Sequence, residues 1–146
     1  MNVEEFDRLI EELQRQIGEQ ERALYSTEVI EHAHNPENLE RMERAQASAV
    51  VRGWCGDTME FYLRFGKRGQ IQEATFMTDG CGPTVACGSM LTSLVKGLSP
   101  DKALLISAQD LISALKGLPE ESVHCAELAV NTLRTAISNW KSRDCR

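Results

Sequence analysis

The residues best suited to chemistry are five cysteines, at positions 55, 81, 87, 125 and 145. Three stand in polar company. "GWCGD" puts Cys55 two residues before Asp57, "TDGCGPTVACG" flanks Cys81 with Gly80 and Gly82, and "VHCAE" joins His124 to Cys125. Together these offer S, O, S, N and S donors, a set that suits a tetrahedral zinc or the two irons of a 2Fe–2S centre. The spacing is not the CxxC…CxxC of a zinc ribbon, so small buried thiols remain the alternative at this point. Asp57 has its own bland reading, a turn aspartate bonding to its own backbone. The glycines around Cys81 permit a backbone whose N–H groups face an anion. Cys87 is read as a small buried residue and Cys145 as an exposed bystander.

The bulk of the chain narrows the field. At 146 residues it is expected to form one domain with a core that needs no disulfide staples. A net charge of -6 argues against nucleic acid as a partner, because phosphate neutralisation draws on a Lys/Arg excess that is absent here. No apolar run approaches the ~20 residues of a membrane span. The start, "MNVEEFDRLIEEL", is acidic and periodic, unlike a secretory signal or a transit peptide. The expected compartment is the cytoplasm, where an odd number of cysteines serves as free thiols or metal ligands.

These side chains need elements to position them. Val3, Phe6, Ile10, Leu13, Ile17 and Leu24 alternate three and four apart, with Gln20 in the one gap, which predicts an amphipathic helix over 1–24. It is expected to pack on its own domain, self-association through the stripe being the alternative. Ser26 or Thr27 caps a short helix that ends at Asn35-Pro36; His32 and His34 on it are read as structural. "QASAVVRGW", "DTMEFYLRF" and "QIQEATFMT" then alternate as strands, and their short glycine links predict successive hairpins. Pro83 opens a helix closed by Gly97, Ser99-Pro100 opens another, Gly117 closes a third, and a long helix follows from "ESVHCAEL". The fold class is α+β: an antiparallel sheet covered by helices, with an extra N-terminal helix. Cys55 falls at the first hairpin turn and Cys81 just past the third strand, at one end of the sheet.

On these motifs the chain resembles the U-type iron–sulfur cluster assembly scaffolds, IscU and the N-terminal domain of NifU. "VIEHAHNPEN", "CGDTMEFYLRF", "FMTDGCGPTVACGS" and "LPEESVHCAELAVNTLRTAI" resemble the family's motifs in order, from about Tyr25 to Trp140. The resemblance implies a scaffold domain over 25–146 with a three-stranded sheet. It implies a cluster held by Cys55, Asp57, Cys81 and Cys125, with His124 beside them as a further metal ligand. The cargo would be a 2Fe–2S cluster, a 4Fe–4S cluster being the alternative, and zinc would occupy the site as isolated. Cys125 would accept persulfide sulfur from a cysteine desulfurase, and recipient apo-proteins would take the cluster, with a co-chaperone pair assisting in some systems. The implied role is that of a scaffold, not an enzyme, as a monomer or homodimer. Two alternatives stand beside it: a zinc-dependent persulfide relay, against which the retained His124 argues, and a structural zinc module. Two departures from the family pattern are Ser122, where a Lys is usual, and Gly53, where a Pro is common and whose absence predicts a looser loop.

Overall fold

β-Branched and aromatic residues at every second position favour a pleated surface with one buried face, and the three alternating runs form such a surface. The computed structural model describes residues 2–144; Cys145 lies outside them. β1 (Ala47–Arg52), β2 (Thr58–Phe65) and β3 (Ile71–Thr78) form an antiparallel sheet in the order β1-β2-β3. The register aligns Ala49 with Phe61 and Phe61 with Phe76, so each strand sends the same phase of its alternation into the core. Met59, Phe61, Leu63, Ala74 and Phe76 are fully buried on that face. On the other face Val50 stands exposed.

Helices cover the buried face. α3 (Gly82–Val95) follows β3 directly, and α6 (Val123–Asp144), entered through a 3-10 turn at Glu120–Ser122, lies across β1 and β2. α6 buries Cys125, Ala126, Ala129, Leu133, Ala136 and Ile137 along one side, the three-and-four spacing of its sequence. α4 (Pro100–Ala103) and α5 (Ala108–Ala114) start at Ser99 and Ser107, whose hydroxyls accept from the third helical N–H. α2 (Thr27–His34), capped by Ser26, packs on α3. His32 Nδ1 meets Ser89 Oγ at 2.7 Å, a structural tie that agrees with the reading of this histidine.

α1 (Val3–Leu24) is the helix expected, but not where expected. None of its residues is buried, and near its C-terminal end Glu21 meets His34 of α2 at 3.0 Å. The expectation that its stripe packs on its own domain is therefore corrected. The reason is that α3 and α6 already cover the buried face of the sheet, with α2 packed on α3.

Candidate metal centre

Cys55 and Asp57 occupy the β1–β2 turn. Gly53 N–H donates to the Asp57 carbonyl at 2.7 Å and Gly56 N–H to the Gly53 carbonyl at 3.0 Å, while Gly56 takes φ +98°, a conformation that suits glycine. Gly53 thus makes the bond that closes the hairpin, one a proline could not make. The Asp57 carboxylate does not fold back on this turn. Its Oδ2 accepts from the Thr84 hydroxyl at 3.1 Å, across on α3, and Asp79 instead caps Thr58 N–H at 2.7 Å.

The pairing of Met59 with Thr78 brings the exit of β3 beside that turn. Cys81 follows as the N-cap residue of α3, with Pro83 in its first turn. Gly80 is required by space: a Cβ there would stand 2.7 Å from the Thr84 side chain and 2.9 Å from Asp57 Oδ2. Its N–H donates to Thr78 Oγ1 at 3.1 Å, so it is committed to the turn and does not face an anion.

Thr84 is the hub that motif reading missed. Its buried hydroxyl lies 3.1 Å from Asp57 Oδ2, 3.3 Å from Cys125 Sγ and 3.8 Å from Cys81 Sγ. A hydroxyl carries one proton, so it donates to one of these acceptors at a time. The signal was present in the spacing: Thr84 lies three residues past Cys81 on a helix, hence on the same face.

Cys125, on the first turn of α6, is 1% exposed. Burial pushes its thiol up to about 11; the Thr84 hydroxyl pulls the other way, and the negative charges of Cys81, Asp57 and Cys55 add to the rise. His124 Nε2 lies 3.7 Å from Cys125 Sγ, and its ring leans on Trp54 with centroids 5.4 Å apart. Cys55 is exposed, and it shares with His124 and Trp54 a shallow cavity of about 140 Å³. Trp54 itself is 85% exposed.

The structure therefore gathers Asp57, Cys81 and Cys125 around one hydroxyl, with His124 against Cys125 and Cys55 at the rim. Among the described residues, no three His, Cys, Asp or Glu side chains already converge as a metal cage. The donor chemistry nonetheless fits a soft metal or an iron–sulfur cluster: three sulfurs, one carboxylate and one imidazole at a single end of the sheet. Cys87 is fully buried among core side chains, and burial, with the charges of Cys125 and Cys81, pushes its thiol far up. It is a core residue. Ser122, in the position of the family's usual lysine, is the buried last residue of the 3-10 turn and brings no charge.

Residues 24–146 match the family model described as the NifU-like N terminal domain. The chain is 36% identical over 118 residues to the iron-sulfur cluster assembly scaffold protein IscU 1 of Archaeoglobus fulgidus, covering 80% of this chain and 76% of the relative. It is 36% identical over 123 residues to the iron-sulfur cluster assembly scaffold protein IscU of Escherichia coli (strain K12), covering 82% of this chain and 95% of the relative. In structure it is similar to a nitrogen-fixing NifU-like protein (N-terminal) from Brucella abortus, with a TM-score of 0.64 over 81% of this chain and 94% of that one. At 19% identity, that likeness speaks for the fold alone.

Proposed function

The chain belongs to the NifU-like N-terminal domain family, and we propose from that premise that it is a scaffold on which an iron–sulfur cluster is assembled and then given up. The observation that carries the reading is the gathering of Asp57, Cys81 and Cys125 within 3.8 Å of the Thr84 hydroxyl, which sets a carboxylate and two thiols at one end of the sheet.

In this proposal Cys55, Cys81 and Cys125 hold the cluster as cargo. Asp57 is the weak fourth ligand, since a carboxylate oxygen is a hard donor on an otherwise soft site. His124, 3.7 Å from Cys125, is the nitrogen able to replace it. Sulfur arrives by transthiolation. The Cys125 thiolate attacks the terminal sulfur of a cysteine desulfurase's persulfide, the new S–S bond forms on Cys125, and the desulfurase leaves as its thiolate. Two electrons from an external reduced carrier then convert that sulfur to sulfide. The protein contributes no turnover of a small substrate. The chain divides into a helix over 1–24 and a scaffold domain over 25–146, acting in the cytoplasm; no described helix is long and apolar enough to cross a membrane.

Anaerobic reconstitution with ferrous iron and sulfide tests the reading. We expect charge-transfer absorption in the visible region that is lost or severely weakened in Cys55→Ser, Cys81→Ser and Cys125→Ser. A featureless spectrum from fully reduced protein would overturn it; tight zinc binding with no cluster would point to the sulfur relay or the structural zinc module instead.

A further inference from the structure

α1 presents an apolar face that the described residues leave uncovered. Phe6, Ile17 and Leu24 are each more than half exposed. The period of the face says what fits it. Val3, Ile10, Ile17 and Leu24 fall seven apart, and Phe6, Leu13 and Gln20 follow the first three of these at three residues each. In heptad terms these are the a and d positions over three repeats, apolar at all but Gln20. A helix that packs on a globular core shows a wider stripe, with e or g also apolar. Here Leu9 widens the stripe in the first repeat only. A strict 3.5-residue seam matches a second helix of the same period.

Charge and area agree. At the flanking positions of a parallel pair, Asn2 meets Asp7, Leu9 meets Gln14 and Gln16 meets Glu21 across the two chains, so no facing pair carries like charges. On the outer face Arg15 bridges Glu12 and Glu19 at 2.5 and 2.6 Å. Gly18, the weak helix former, also sits off the seam. From the exposures of its apolar residues, the face offers roughly 600 Å² per copy, or about 1,200 Å² over a pair, the lower bound for a stable interface.

We propose that α1 pairs with α1 of a second copy of this chain as a parallel, in-register two-stranded coiled coil. β-Branched residues at three of the four a positions favour two strands. Gln20 fixes the direction. In the parallel register it meets Gln20 of the second copy and the two amides bond to each other, whereas the antiparallel register sets it against Val3. Parallel pairing also places both Cys81 loops at one end of the coil, because Glu21 and Tyr25 line a single cavity with Gly82 and Pro83. Antiparallel pairing would separate them by the length of the helix, about 33 Å.

Sedimentation equilibrium on the full, reduced chain tests the pairing, with a dimer of Kd on the order of micromolar expected. Leu13→Glu with Ile17→Glu should weaken it at least ~100-fold, and Gln20→Leu should tighten it at least ~10-fold. Glu19→Gln, on the outer face, should leave it unchanged. Thermal unfolding of the remaining domain should not move in any of these variants, since α1 contributes no buried residue to it. For direction, Ile10→Cys should yield, on mild oxidation, a peptide linked to itself through position 10. A chain still monomeric at about 100 µM, or a dimer that survives the double variant, overturns the proposal; a dimer without the self-linked peptide overturns its parallel register.

Discussion

Cys125 is at once the sulfur acceptor of the proposed mechanism and a buried thiol pushed up to about 11 from an ordinary 9.0. At pH 8 that shift leaves about 100-fold fewer thiolates than an unperturbed thiol has. The more basic thiolate is intrinsically more nucleophilic, which returns roughly 8-fold at a Brønsted slope of about 0.45. The chemical deficit is therefore about 10-fold, before the exclusion of reagent by a side chain only 1% exposed. The assay is timed alkylation of the metal-free protein with iodoacetamide across pH, each cysteine followed by peptide mass spectrometry. Cys55 and Cys81, both exposed, should be modified first. Cys125 should lag by at least about 10-fold and keep rising nearly tenfold per unit through pH 10. Folding linkage has a matching sign. A thiol raised in the folded state binds its proton more tightly there, so its stabilisation is complete below about pH 9 and is lost between about 9 and about 11. If Cys125 reacts as fast as Cys55 and levels off below pH 9, the burial argument is wrong. Addition of zinc should slow all three, because a coordinating thiol is deprotonated and held.

Asp57→Ala should leave a cluster that forms but passes several-fold more slowly to an apo-ferredoxin, and Asp57→Asn, which still accepts from Thr84, separates ligation from shape; parental transfer rates in both would remove Asp57 from the site. Cys87→Ser should retain the reconstituted spectrum yet lower stability by about 1–3 kcal/mol in urea unfolding, since a hydroxyl enters an apolar core; loss of the cluster would make Cys87 a ligand. Gly88→Ala would set a methyl 2.4 Å from the Phe76 ring, so the urea midpoint should fall by an amount equivalent to about 1–3 kcal/mol, and an unchanged midpoint would refute that packing.

The strands were legible because their alternation is a direct image of one buried face: Met59, Phe61 and Leu63 all point inward as read. The caps at Ser26 and Ser99 were legible because each acts within three residues of itself; the Ser107 cap, equally local, was not singled out. Asp57, Cys81 and Cys125 were legible as candidates from residue type and motif; the spacing of Thr84 from Cys81 puts the two on one helix face, but nothing local links its hydroxyl to Asp57 or Cys125. The setting of α1 was illegible for a related reason. Amphipathicity states that a face wants cover and is silent on whether the same chain has room to supply it.

Because Cys55 comes from a hairpin, Cys81 from the loop before α3 and Cys125 from the first turn of α6, the ligand set is created by tertiary assembly alone. Two of the thiols can come together once the sheet has formed; the third arrives only when α6 docks against β1 and β2, after some seventy intervening residues have been ordered. Cargo and architecture are then thermodynamically linked. Any metal that engages all three thiols acts as a clamp on the docked helix, adding about 2.7 kcal/mol at a free concentration one hundred times its Kd. Surrender of the cargo removes that clamp, so the donated cluster leaves behind a protein whose longest core helix is less firmly seated than before.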